Sequence, residues 1–344
     1  MSAEEILILT RTDIVRCLAE IDPVEVVAEV LRLHALGFTA LPAEGYLPWQ
    51  NSQDQYCRAL AMLGSVTAPE GQTARYGMKL INASVGNPAL GLERAGGFTV
   101  LFDPETARPD TLLEAGYLSA MRTASYTACS LRELGPGHFE QVSIVGCGTL
   151  ARMHIRLLRR YFPAVTRISL FDLDSERMET MAAEVRMEHP QLTVQTCASA
   201  RACFEQGEVV ITLTTSSQPY AAVDWIRPGA LIAHVSLDDI DESVFAGAEA
   251  IWVDDLDLIQ DNPRRILGRL LTEGAVARPE VSGTGPRVTG SLGDVLLGRS
   301  RVTRPSTGYL VSNPFGLSVL DVGLAAAVAE VARGERRGST ISLL

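Results

Sequence analysis

The residues of this chain whose types and spacing suit chemistry fall into two groups. The first is Gly146-Cys147-Gly148-Thr149-Leu150-Ala151, which follows the apolar run Val142-Ser143-Ile144-Val145 and precedes a helical pattern over roughly 150–160. A Gly-x-Gly-x-x-Ala turn between strand and helix lets the backbone pass close to a pyrophosphate, whose charge then rests on the unpaired N–H groups of the helix N-terminus. A second strand, Arg167 to Phe171, ends in Asp172, 26 residues beyond Gly146. An acid there can hydrogen-bond an adenosine ribose and repel a 2′-phosphate. No arginine stands among Leu173, Asp174 and Ser175, so NAD is expected over NADP. Gly146, Cys147, Gly148, Thr149, Leu150 and Asp172 are therefore assigned to the cofactor, together with Thr214, Thr215 and Ser236 near the ends of later strands.

The second group is cationic. Of thirty basic residues, twenty-nine are arginine and one is Lys79. Arginine is effectively always charged, whereas lysine shifts its pKa readily and can share a proton, so a position that stays lysine against such a bias is a candidate for chemistry. Arg58 in "YCRALAM", Arg94 in "GLERAGG" and Arg122 in "YLSAMRTASYTA" join it as cations suited to an anionic substrate. Each taken singly is more often a solvated or ion-paired residue than a ligand, and the glycine turn alone could serve any α/β unit.

These residues need elements to hold them. Strands at 208–214, 230–235 and 250–254 continue the alternation with helices, which predicts a parallel sheet covered on both faces, with ligands at the carboxyl ends of its strands. This nucleotide domain is placed at 120–311. Residues 1–119 read as α+β: amphipathic stretches Thr12 to Glu20 and Pro23 to Ala35, then a polar region and short apolar runs such as Ala59 to Leu63 and Phe98 to Phe102. The segment 312–344, with a strong helix over Val319 to Arg333, is expected to return to that first domain. Ser282 to Gly308, rich in Gly, Ser, Thr and Pro, reads as loop.

Composition narrows the function classes. The 344 residues are 47% apolar and carry a formal net charge of −11, which argues against nucleic acid as a partner. No apolar run approaches the ~20 residues needed to span a bilayer and no signal-peptide pattern is present, so no membrane partner and a cytoplasmic enzyme are expected. The six cysteines form no Cys-x-x-Cys pair and do not cluster with the five histidines, which points to reduced thiols and to no metal site.

The whole pattern resembles the ornithine cyclodeaminase and mu-crystallin family, through "GMKLIN", "DPET", "MRTAS" and "IVGCG". Within it the chain is most similar to the enzymes that make 2,3-diaminopropionate for siderophores and peptide antibiotics, through "YLPWQN", "NPALGLERA", "FDPETARPDTLLEAGYLSAMRTAS", "GEVVITLTTSSQPY", "AVDWIRPGALI" and "LVSNPFGLSVLD". The resemblance implies a Rossmann-type NAD-binding domain plus an α+β substrate and dimerisation domain formed from both chain ends, assembled as a homodimer. It implies NAD-dependent oxidative cleavage of N-(2-amino-2-carboxyethyl)-L-glutamate, a small amino-acid-derived polycarboxylate, to 2,3-diaminopropionate and 2-oxoglutarate. Arg58, Lys79 and Arg122 then match carboxylate-binding cations, with Arg94 beside them, while Lys79 and Asp239 in "HVSLDDIDESVF" carry the catalysis. Asp238 is adjacent, so the register of the acid is open by one residue. Where relatives often have Met-Pro after the first arginine, this chain has Ala61-Met62-Leu63-Gly64, a departure that bears on the pocket near Arg58. Ornithine cyclodeamination to proline and ammonia, ketimine reduction or amino-acid dehydrogenation, and ligand carriage without catalysis are the competing readings.

Overall fold

The computed structural model describes residues 5–67 and 74–342. The chain forms two compact units, Met1–Ser125 with Gly316–Leu344, and Tyr126–Phe315. The first opens with β1 (Glu5–Leu9), α1 (Arg11–Leu18) and α2 (Pro23–Ala35). Both helices start where their sequence supplies an acceptor for the orphan N–H groups of the first turn. Thr10 and Asp13 cap each other reciprocally at α1, and Asp22 accepts from the Val24 and Glu25 N–H groups at 3.0 Å, with Pro23 in the first turn of α2. The strands β2 (Thr39–Ala40), β3 (Gly45–Gln50), β4 (Tyr56–Val66), β5 (Arg75–Ser84), β6 (Ala95–Phe102) and β7 (Pro109–Glu114) follow, then α3 (Ala115–Leu134), within which the boundary between the units falls.

The second unit is a strand–helix alternation: β8 (Gln141–Val145), α4 (Thr149–Tyr161), β9 (Arg167–Phe171), α5 (Ser175–Glu188), β10 (Thr193–Thr196), α6 (Ala200–Phe204), β11 (Val209–Thr212), β12 (Leu231–His234), α7 (Glu242–Ala246) and β13 (Ala250–Val253). Then come α8 (Leu256–Gln260), α9 (Ile266–Glu273), β14 (Val288–Ser291), α10 (Leu292–Leu296) and β15 (Leu310–Ser312). All eight strands pair in parallel, in the order β10-β9-β8-β11-β12-β15-β13-β14. The strand interiors are buried on both faces, which is why β8, β11 and β12 read as continuous apolar runs rather than alternating ones. The unit is a Rossmann-type doubly wound sheet whose order reverses between β8 and β11, the switch point at which such folds bind ligands. The stretch expected as loop, 282–308, holds β14 and α10, the latter started by Ser291 accepting from the Asp294 N–H at 3.0 Å. A four-residue edge strand and a five-residue helix leave too short a periodicity to read from composition.

The chain then returns to the first unit with α11 (Ser318–Gly334) and β16 (Ser339–Ser342). That unit's sheet runs β16-β1-β7-β6-β5-β4-β2, with β3 also on β4. Helix α11 packs against α2 and against one face of β4, β5 and β6. Its approach explains Gly64: a Cβ there would lie 2.9 Å from Ser318 Oγ, and Ser318 instead donates to the Leu63 carbonyl at 2.6 Å. The opposite face of the sheet carries Leu47, Trp49, Leu63, Tyr76 and Phe98, all exposed.

Candidate active site

In the second unit the glycine turn lies between β8 and α4, at the switch point. Gly146 has φ +99°, and a Cβ on it would meet the Leu213 carbonyl carbon at 2.8 Å, so only glycine lets the end of β8 pass the end of β11. Gly148 is the N-cap of α4 and offers no side-chain acceptor, which leaves the first-turn N–H groups of Thr149, Leu150 and Ala151 without a cap; nothing lies within 4 Å of where its Cβ would be. Uncapped donors beside open space suit a pyrophosphate. Asp172, just past β9, accepts from the Cys147 N–H at 2.7 Å and the Asp174 N–H at 2.9 Å. The Cys147 thiol is pushed up to about 12 by burial and by that carboxylate, so it is inert. Arg177, five positions on, reaches back to within 3.8 Å of Asp172 and 3.1 Å of Asp174; linear spacing hides it, because one turn of α5 is needed to bring it round.

Asp239 follows β12 in the same unit and is fully buried. Its carboxylate accepts from the Thr214 hydroxyl in a short contact and from the Thr214 N–H at 3.3 Å. Burial and this carboxylate push the Tyr220 phenol of the "QPY" motif upward. The Asp239 N–H donates to His234 Nε2 at 3.2 Å, while His234 Nδ1 lies 2.7 Å from Asn313 Oδ1; the imidazole, lowered to about 4 by burial, stays neutral with its Nδ1 proton on Asn313. Asp238 points elsewhere, onto Arg269 at 2.6 Å, so of the two acids Asp239 is the one set among strand ends. Thr215 is exposed, and the Ser236 hydroxyl is turned to Thr212 Oγ1 at 2.9 Å.

In the first unit the cations form two groups. Lys79 sits mid-strand in β5, opposite Met62 and Thr99, and is only 2% exposed. Its Nζ is 2.7 Å from Asp321 Oδ2 and 3.4 Å from Ser119 Oγ. Arg122, 6% exposed, brings Nη2 to 2.9 Å from the same Oδ2. Within this trio two cations share one carboxylate, Glu44 being the other acid that acts on Lys79, and both Arg122 Nε and Asp321 Oδ1 are buried without a hydrogen-bond partner. Burial, then Arg122, lower the Lys79 ammonium to about 8 against the pull of Asp321. Arg58 on β4 lies opposite Ala83 of β5, whose partner on β6 is Ala95, and Arg94 immediately precedes Ala95, its carbonyl accepting from the Ser84 N–H at 3.0 Å. Burial and the Arg58 charge lower Arg94, and among the described residues neither arginine has a carboxylate partner. Asp321 escaped the sequence reading; its signal was an acid inside the apolar helical stretch Val319-Leu320-Asp321-Val322.

Relatives frame this geometry. The chain is 27% identical over 98% of its length to the N-((2S)-2-amino-2-carboxyethyl)-L-glutamate dehydrogenase of Staphylococcus aureus, 99% of which is covered. The crystal structure of CmnK matches with 52% identity and a TM-score of 0.91 over 99% of each chain. An archaeal alanine dehydrogenase dimer with bound NAD, at 23% identity, shares the fold with a TM-score of 0.82 over 99% of this chain and 100% of its own. The sequence profile of the ornithine cyclodeaminase/mu-crystallin family matches residues 8–336, and the chain belongs to that family.

Proposed function

We propose that the protein is an NAD-dependent oxidoreductase that cleaves N-(2-amino-2-carboxyethyl)-L-glutamate, with water, to 2,3-diaminopropionate and 2-oxoglutarate. The observation that carries the reading is the buried surplus of positive charge at Lys79, Arg122 and Asp321, together with a second pair of cations in the same unit, Arg58 and Arg94, that lack acids among the described residues. A substrate with three carboxylates meets that surplus; ornithine, with one carboxylate and two amines, does not. The name of the Staphylococcus aureus relative points the same way.

The uncapped first turn of α4 behind Gly148 would hold the pyrophosphate of NAD and Asp172 its ribose, and the cofactor would supply the hydride acceptor for the glutamyl Cα–H. The chain's own residues do the rest. Arg122 and Lys79 fix one substrate carboxylate, and Arg58 with Arg94 another, so that the reacting carbon is held in one orientation. Once the secondary amine has become an imine, Asp239 takes a proton from the attacking water and passes it to the departing nitrogen. Lys79 neutralises the substrate carboxylate that it holds with Arg122.

We also propose a homodimer formed through the exposed apolar face of the first unit's sheet, since Leu47, Trp49, Leu63, Tyr76 and Phe98 all lie exposed on that face and large exposed apolar side chains mark interaction surfaces. The reaction is tested by incubating the protein with NAD and the glutamate adduct. NADH, 2-oxoglutarate and 2,3-diaminopropionate in equal amounts are expected. Proline and ammonia from ornithine, with no NADH from the adduct, would overturn the assignment in favour of cyclodeamination.

A further inference from the structure

We propose that Asp321 is the positioning residue of the cation site: its single shared oxygen holds the one lysine of the chain ionised and aligned with Arg122. The inference rests on the functional reading above only for the identity of the anion that completes the site.

The residues around Asp321 give it no other purpose. Val319, Leu320, Val322 and Leu324 of α11 are all fully buried, and an acid among them is costly unless paired. It spends one oxygen on two cations, at 2.7 Å and 2.9 Å, and leaves the other without a partner. The charged groups that act on Lys79 are Arg122 from α3, Asp321 from α11 and Glu44 ahead of β3; Ser119 on α3 and Thr99 on β6 are neutral. Remove the Asp321 charge and two cations share a buried volume. Arginine cannot shed its proton, so the lysine must. Asp321 therefore decides whether position 79 presents an ammonium or an amine, which a pin between helix and sheet would not do.

Because Lys79 is the only lysine, full-length protein labelled with 13C-lysine gives one side-chain Cε resonance whose shift follows its ionisation. Titrated without ligand, Asp321→Asn is expected to lower the Lys79 midpoint by about 1–3 pH units relative to wild type, the range for losing an opposite charge at this distance. Asp321→Glu, which keeps a carboxylate, is expected to stay near the wild-type midpoint. An unchanged midpoint in folded Asp321→Asn, with only the melting temperature reduced, would make Asp321 a structural pin and overturn the proposal. Should Asp321→Asn not fold, Asp321→Glu decides: a midpoint near wild type supports the proposal, and a large fall despite the retained carboxylate overturns it. Adding 2-oxoglutarate to wild type separates this from the functional reading. A raised midpoint places a carboxylate beside Lys79, whereas no response alongside the Asp321→Asn shift leaves the role of Asp321 standing and removes the proposed substrate.

Discussion

Replacing Lys79 by methionine should make the protein more stable while destroying its activity. A methionine fills the space of the lysine stem, and Asp321 keeps Arg122 at 2.9 Å, so no buried charge is orphaned. The site loses the surplus cation instead. Lowering of Lys79 from 10.5 to about 8 corresponds to about 3 kcal/mol spent in the folded state on keeping it charged. Since the folded-state value lies below the unfolded one, the unfolded chain binds more protons between pH 8 and 10.5, and wild-type stability rises across that window. The advantage of Lys79→Met should thus be about 1–3 kcal/mol at pH 7, after allowing for imperfect repacking, and should shrink as the pH is raised through 8. Urea unfolding of both proteins at pH 7 and pH 9.5 measures it. A variant less stable than wild type at pH 7, or a gap that does not narrow with pH, would refute the reasoning and show that the Lys79–Asp321 contact is net stabilising.

Three further outcomes are expected. Asp239→Asn should lower kcat by about 10²–10⁴-fold, as for loss of a general acid–base group, while Asp238→Asn, which only weakens the contact to Arg269, should keep kcat within about tenfold; reversed effects would exchange the two assignments. Asp172→Ser should raise the ratio of kcat/KM for NADP over NAD by at least about tenfold, by removing the carboxylate and releasing Arg177 from its 3.8 Å contact; initial rates with each cofactor decide, and an unchanged ratio counts against Asp172 as the selector. Leu63→Glu with Phe98→Glu, both on the exposed sheet face, should convert a dimer to a monomer by light scattering, and an unaltered mass would place any interface elsewhere.

What could be read from the sequence was what neighbouring residues determine. Pro23–Ala35 announces itself by its Asp-Pro start and helical spacing, and β8 with its glycine turn and Asp172 lie within one β-α-β unit, so the strand–turn–helix geometry was legible. The first helix, read from Thr12 to Glu20, was displaced by a residue or two because Thr10 caps it and sets its start at Arg11. The Asp238/Asp239 ambiguity is open in the chain alone: both acids follow β12 in a turn with no period, and they differ in contacts distant in sequence, Asp238 with Arg269 and Asp239 with Thr214. The pairing of Asp321 with Lys79 was beyond reach for a different reason, although an acid in an apolar helix was itself a signal. Asp321 meets Lys79 across 242 residues of sequence, and nothing local to either residue announces the other.

That separation along the chain bears on how the protein is made. Residues Tyr126–Phe315 form a continuous unit that can close as soon as they have been synthesised. The first unit cannot, because the helix that covers β4 and β5, and the strand that pairs with β1, are translated last. At about 5–20 residues per second, the interval between Arg122 and Asp321 leaving the ribosome's active centre is on the order of 10–40 s. For that time Lys79 and Arg122 have no buried acid to meet, and the sheet face beneath α11 has no cover. The earliest-made residues of the cation site thus wait in the nascent chain for the latest, and a chain released before Ser318 would carry its Rossmann unit without ever assembling the charges proposed to hold its substrate.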